Sequence, residues 1–224
     1  MKLFIAAALV CGLTTGASAQ NVAKADPAKV EQVVKTMFAK AGPEWASVIT
    51  PDETIMTCTQ TGNAPSTKQY DEILAREQKT VVMPADGNVM GDWKKGETVA
   101  QRGTGGQFTD NPDTYKGGNC YACHELAAKE VSYGTLGPSL KGYGKDRKFA
   151  ADEAKVAYAK IFNSQSVLPC SQMPRFGHNK FLTEQQIKDV VAYLFDPESP
   201  VNKLAIHAIA RRSQNRRVLA FIKG

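Results

Sequence analysis

The 224-residue sequence predicts an all-α fold, in which a helical N-terminal extension precedes a small helical domain with long loops. Apolar residues recur at spacings of three and four in several segments, which is typical of helices that bury one face. Residues that favour helix starts precede these segments, and no alternating strand pattern of any length occurs. The segment from Arg102 to Asn119 is rich in glycine, asparagine and aspartate, which predicts a loop.

The first 19 residues have the pattern of a secretory signal peptide. Lys2 precedes an apolar stretch over residues 3–13, and the small residues Ala17-Ser18-Ala19 form a cleavage pattern. We therefore predict a signal peptide over residues 1–19 and a periplasmic location. A lipoprotein signal at Cys11 is the alternative, and the bulky Val10 before it argues against this reading. The apolar stretch is shorter than the roughly 20 residues that a membrane-spanning helix needs.

Residues 20–90 are predicted to form the helical extension. Asp26 is a favourable N-cap, Pro27 suits the first helical position, and Gly42-Pro43 ends the helix that follows. A second helix is predicted from Ser66 to Val82, with these residues along one side: Tyr70, Ile73, Leu74 and Glu77. The turn-rich stretch 83–88 leads to a domain boundary near Met90.

Residues 91–202 are predicted to form the compact domain. Asp92 caps a short helix that ends at Gln101, and another helix, with Val156, Ile161 and Phe162 as its apolar residues, covers 151–163. The clearest helix begins at Thr183, which forms a capping box with Gln186, and ends before Asp196-Pro197.

The net charge of +6 is concentrated at the C-terminus. Residues 203–224 hold six basic and no acidic residues, so the rest of the mature chain is close to neutral. We therefore expect no nucleic-acid partner. The tail is interpreted as a solvated segment, as a docking segment for an acidic partner, or as an amphipathic helix on a membrane surface. His207 in this tail is read as a surface histidine.

The stretch "GGNCYACHEL" carries the main chemical signal. Cys120, Cys123 and His124 form C-x-x-C-H, the attachment signature of c-type haem, in which both cysteines bind the porphyrin and the histidine binds the iron. A zinc site would need a second ligand pair, and a thioredoxin-like dithiol would need a βαβ setting. The sequence offers neither, so it predicts one covalent haem c.

Met173 is the predicted second axial ligand of the iron. It lies in "CSQMPRFG", in a loop between two predicted helices and directly before a proline. His178 and Cys170 are the alternative ligands in the same region. A His/Met pair fills both axial positions, which leaves no place on the iron for a substrate and indicates electron transfer.

Cys58 and Cys170 are the other two cysteines that follow the signal sequence. An even number of cysteines in an exported protein permits disulfides, so a Cys58–Cys170 bond is expected to join the extension to the domain beside Met173. Two free thiols, or a reactive or ligating Cys170, are the alternatives.

These motifs together resemble the SoxX family, the monohaem c-type cytochrome subunits of the SoxAX complexes of bacterial sulfur oxidation. The resemblance rests on "GGNCYACHEL", "YGTLGPSLKGYGKDR" and the segment 163–203, in which "MPRFG" and "LFDPESPVN" are its specific parts. It implies a class I cytochrome c-like haem domain, with Cys120 and Cys123 attached to haem, His124 as the proximal ligand and Met173 as the distal ligand. Gly137-Pro138 would pack against the proximal side.

The resemblance also implies partners and a reaction. SoxX forms a periplasmic heterodimer with SoxA, and SoxAX joins thiosulfate oxidatively to a cysteine of the carrier protein SoxYZ, which is an L-cysteine S-thiosulfotransferase reaction. That chemistry belongs to SoxA, so no catalytic residue is expected in this chain, which would pass the electrons to a soluble cytochrome. A free-standing periplasmic electron shuttle is the alternative. The sequence departs from the family pattern in continuing beyond "SPVNK".

Overall fold

The computed structural model describes residues 26–111, 113–130 and 132–203. They fall into two compact units, of which the first ends at Ala39 and the second begins at Lys40. The signal peptide and residues 204–224, with His207, lie outside the described residues. The domain boundary near Met90 stays a prediction. No strand occurs in the described ranges, which confirms the all-α prediction. None of the described helices is long and apolar enough to span a membrane.

The first unit contains helix α1, Pro27–Met37. The Asp26 side chain accepts a hydrogen bond from the Ala28 N–H at 3.0 Å, and Pro27 occupies the start of the helix, as the sequence predicts.

Three helices precede the predicted domain boundary within the second unit: α2 (Ala46–Ile49), α3 (Glu53–Gln60) and α4 (Thr67–Gln78). Helix α4 confirms the second predicted helix of the extension and has a full capping box between Ser66 and Gln69. It ends at Gln78 and not at Val82, because the Thr80 N–H and hydroxyl both bond to the Glu77 carbonyl and close a turn.

The remaining helices are α5 (Trp93–Gln101), α6 (Tyr143–Asp146), α7 (Ala151–Phe162) and α8 (Glu184–Phe195). The predicted caps at Asp92 and Thr183 are both present. Helices α5 and α8 pack closely because Gly96 has no Cβ, which would overlap the Asp189 carbonyl. Asp189 also accepts a hydrogen bond from the Asp92 N–H at 2.9 Å, so the start of α5 is fixed on α8.

One apolar core lies among these helices and the loops between them. Its fully buried side chains include Val99, Tyr158, Ile187, Val191 and Tyr193. Cys120 and Met173, which the sequence assigns to one haem, are partly buried and pack against this same core although they lie far apart in the chain. The fold therefore places the predicted haem-attachment turn and the predicted methionine ligand against the same hydrophobic core.

Candidate haem site

The C-x-x-C-H segment forms one tight turn. Gly117 and Gly118 lead into it, and their N–H groups donate to the Thr104 and Val99 carbonyls at 3.1 and 2.7 Å. Asn119 has a left-handed backbone (φ 49°), which asparagine tolerates better than most residues, and turns the chain into the 3₁₀ segment Cys120–Ala122. The His124 N–H then donates to the Cys120 carbonyl at 2.9 Å, so both thiols and the imidazole lie within one turn.

The imidazole of His124 is held by the loop that follows it. Its Nδ1 lies 2.7 Å from the Pro138 carbonyl oxygen, which can only accept a hydrogen bond, so Nδ1 carries the proton. The other nitrogen, Nε2, therefore keeps its lone pair for a metal. The Gly137 N–H donates to the Cys123 carbonyl at 2.8 Å, and a Cβ on Gly137 would overlap the imidazole ring. Gly137 and Pro138 thus pack on His124 as the resemblance implies.

The two cysteines of the turn form no disulfide. Burial of the Cys120 thiol raises its pKa to about 12, so the group is neutral at physiological pH. A thioredoxin-like dithiol would need a βαβ setting, and the described ranges contain no strand. The described residues also bring together no group of three or more His, Cys, Asp and Glu side chains that could hold a metal ion, as the zinc alternative would need. Two thiols beside an imidazole with a free Nε2 fit haem c.

Met173 lies in the loop between α7 and α8, and its backbone is fixed on both sides. The Met173 N–H donates to Ser171 Oγ at 3.3 Å, and its carbonyl accepts from Ser164 Oγ at 2.5 Å. Further along the loop, the Gly177 and His178 N–H groups both donate to the Phe162 carbonyl at 2.9 Å. These bonds return the loop to the end of α7, while the ligand role of Met173 stays a prediction.

Of the two alternative iron ligands, Cys170 has no free thiol in this structure. It forms a disulfide with Cys58, with the two Cα atoms 5.3 Å apart, so the structure contains the bond that the sequence permits between the extension and the Met173 loop. His178 lies near a charged cluster that joins Arg175 to two carboxylates of the extension. Burial lowers its pKa, the nearby Arg175 guanidinium lowers it further, and the carboxylates of Glu77 and Asp52 oppose this effect.

That cluster consists of residues that the sequence reasoning did not assign to the site. The Arg175 guanidinium contacts Asp52 Oδ2 at 2.6 Å and Glu77 Oε2 at 3.4 Å, and the Asn163 amide donates to the same Glu77 oxygen at 2.8 Å. Only Glu77 gave a signal in the sequence, because a carboxylate on the apolar side of a helix requires a buried partner. The sequence does not identify Arg175 as the partner of Glu77, since the two residues lie 98 positions apart in the chain.

A cavity of about 530 Å³ borders the Met173 loop. Residues from 48 to 63 form one wall, and residues from 165 to 179, with Met173 among them, form the other. The amide oxygens of Gln165 and Asn179, two of the lining residues, are buried without a hydrogen-bond partner among the described residues. Met173 therefore packs against the apolar core and also lines a cavity whose wall includes these two amides.

Two comparisons with known proteins concern the domain that contains this site. The family model "Cytochrome c" matches residues 94–196, a range that contains the C-x-x-C-H turn, the Gly137-Pro138 loop and Met173. The chain is also 36% identical over 204 residues to a protein of Aquifex aeolicus (strain VF5) called "Uncharacterized lipoprotein". The similarity covers 90% of this chain and 96% of that protein, so it includes the extension as well as the matched domain.

Proposed function

Because this chain carries a cytochrome c domain in residues 94–196 and belongs to the family of the Aquifex aeolicus protein, we propose that it is an exported electron carrier with one covalent haem c. Cys120 and Cys123 would hold the haem through thioether bonds, and His124 Nε2 and Met173 Sδ would bind the iron. The haem supplies one-electron redox chemistry when bound. The observation that carries this proposal is the His124 geometry, in which a carbonyl fixes Nδ1 beside two cysteines that form no disulfide.

The protein's own residues would set how the haem behaves. The Pro138 carbonyl holds the imidazole in one tautomer and orientation, and a hydrogen bond of this kind raises the basicity of Nε2. Met173 would close the opposite face, so that oxygen or a substrate finds no open position on the iron. This arrangement favours outer-sphere electron transfer over a haem peroxidase or a gas sensor, both of which need an open iron.

The ligand assignment is tested by the spectrum of the oxidised protein. We expect the weak far-red charge-transfer band of methionine-ligated haem, its loss in Met173→Ala, and its retention in Met56→Ala, where the exposed side chain lies on α3. The reduced wild type should not bind carbon monoxide, whereas Met173→Ala should. A wild-type protein that lacks the band and binds carbon monoxide would contradict a closed iron and would favour a ligand-binding haem.

At a finer level, the function we propose is that of the SoxX-type subunit of a SoxAX complex, which accepts electrons as thiosulfate is joined to a cysteine of SoxYZ. Two features support this proposal. "MPRFG" contains Arg175, which links the Met173 loop to the extension. "LFDPESPVN" ends in Asn202. The Asn202 side-chain amide donates to the Leu194 and Asp196 carbonyls at the end of α8. Its oxygen accepts from the Gly144 and Lys145 N–H groups, so Asn202 joins the end of α8 to α6. Both motifs therefore have defined roles beyond haem attachment.

The SoxAX assignment is tested by purification of the tagged chain from the periplasm of its native host grown on thiosulfate. We expect a second c-type haem protein to co-purify, and the pair to join thiosulfate to the carrier cysteine. Recovery of the chain alone, as a monohaem protein that exchanges electrons with respiratory cytochromes, would contradict the assignment. That result would support the alternative, a free-standing shuttle.

We also infer export through a signal peptide that is cleaved after Ala19. The relative is named a lipoprotein, which makes lipid attachment at Cys11 the competing form of export. The mass of the purified protein separates the two, because cleavage gives an unmodified N-terminus at Gln20 whereas lipidation gives an acylated Cys11. An acylated Cys11 would place the protein at a membrane surface and would overturn the Ala19 cleavage site.

A further inference from the structure

Arg175 connects the Met173 loop to α3 and α4, two of the helices that precede the cytochrome c domain. It is the second residue after Met173, and it is 7% exposed. Its guanidinium contacts Asp52, the N-cap of α3, at 2.6 Å and Glu77, near the end of α4, at 3.4 Å. A buried guanidinium needs charged or hydrogen-bonding partners, so these two carboxylates fix the position of the Arg175 side chain.

Glu77 is the centre of this cluster. It is 3% exposed, and its carboxylate accepts from the Thr54 hydroxyl of α3 and from the Asn163 amide at the end of α7 as well as from Arg175. The side chain therefore joins three segments of the fold. Removal of Arg175 would leave the buried Glu77 carboxylate with the more distant Arg76 Nε, at 3.8 Å, as its cationic neighbour, so the Arg175 contact favours this one arrangement.

A second anchor lies on the other side of Met173. Cys170, three residues before it, is bonded to Cys58 of α3. Cys170 also has a left-handed backbone (φ 59°), a conformation that is unfavourable for residues other than glycine and persists only where the surroundings fix it. The Met173 loop is thus attached to the α3–α4 segment, residues 53–78, on both sides of Met173.

We propose that Glu77 and Arg175 are positioning residues for the axial ligand, and that the α3–α4 segment acts as a clamp that keeps Met173 on the haem iron. This inference rests on the proposed haem ligation and gives a role to a segment outside the matched cytochrome c domain. Without the clamp, the loop would open more often and Met173 would leave the iron, although the haem would stay attached through Cys120 and Cys123.

Imidazole binding to the oxidised holoprotein tests the clamp. Imidazole takes the axial position only when Met173 has left it, so its apparent affinity rises in proportion to the fraction of open molecules. We expect Glu77→Gln and Arg175→Leu to bind imidazole about tenfold more tightly than the wild type, or more. Val191→Ala, which removes methyl groups from the fully buried face of α8, should lower the thermal midpoint without this increase.

Imidazole affinities that match the wild type in both variants would overturn the clamp, as would an equal rise in Val191→Ala. Should the charge variants fail to fold, Thr54→Val changes the shape little and removes the hydrogen bond to Glu77, together with the two that Arg76 donates to the same hydroxyl. A smaller rise in affinity is then expected. No rise in the imidazole affinity of Thr54→Val in that case would overturn the clamp.

The far-red band of the wild type separates failure of the Met173 ligand assignment from failure of the clamp. If it is absent, the ligand assignment fails and the clamp fails with it, whereas a band that is present with unchanged imidazole binding overturns the clamp alone.

Discussion

Gly137 lies against the imidazole of His124 so closely that a Cβ at position 137 would overlap the ring. The next residue, Pro138, offers the carbonyl that holds Nδ1 at 2.7 Å. The orientation of the predicted proximal ligand is therefore set by the backbone of two consecutive residues. A change at either one acts directly on the bond that His124 Nε2 would make to the iron.

Substitution of this glycine should impair the haem site. Gly137→Ala would push the His124 ring away from the Pro138 carbonyl, so we expect less haem per protein and a shifted reduction potential in the fraction that carries haem. The ratio of haem absorbance to protein absorbance and a redox titration measure both effects. Gly103→Ala is the matched control, because its Cβ would first meet the Asn119 side chain at 3.2 Å, which can move. Normal haem content and potential in Gly137→Ala would contradict the close packing.

The Asp52–Arg175 contact should make the protein sensitive to acid. Burial acts to raise the pKa of Asp52, but the Ile55 N–H and the Arg175 guanidinium outweigh it and lower the pKa below the ordinary value of 3.8. A carboxyl with a lowered pKa stabilises the folded state above its unfolded pKa, and this contribution is lost as the pH falls through the folded pKa.

We therefore expect the thermal midpoint of the wild type to fall more steeply than that of Asp52→Asn as the pH is lowered from about 5 to about 2. The control Asp152→Asn, whose carboxylate is 96% exposed, should follow the wild type. Parallel curves for the wild type and Asp52→Asn would show that the contact with Arg175 does not stabilise the fold.

Loss of the disulfide should destabilise the protein. The bond joins residues 112 positions apart, and removal of a native disulfide from an exported domain costs about 2–4 kcal/mol. We expect this loss in the double variant Cys58→Ala/Cys170→Ala, measured by urea unfolding of the holoprotein. In Cys58→Ala/Cys170→Gly the loss should be smaller by about 1 kcal/mol, because glycine adopts the left-handed conformation of position 170 without cost. Equal stabilities of the two double variants would mean that residue 170 leaves this conformation once the bond is absent.

Helix starts were predictable because they depend on neighbours in the chain. Asp26, Ser66, Asp92 and Thr183 all cap the helices that follow them. Helix α3 was missed although Asp52 caps it, because its threonines lower helix propensity and its apolar positions are few. It forms because Thr54 and Cys58 are buried against partners from α4 and from the Met173 loop. Tertiary packing supplied the stability that local propensity lacked.

The sequence by itself determined the chemistry of the turn at Cys120, Cys123 and His124, because C-x-x-C-H places all three groups within one turn whatever surrounds them. It also predicts Met173 as the second axial ligand, which stays a prediction, and permits the Cys58–Cys170 bond. Only the tertiary structure decided that this bond forms and that Arg175 meets Asp52 and Glu77. These contacts join residues roughly a hundred positions apart, and their existence depends on the burial of charge and apolar surface by the whole fold, which no local spacing records.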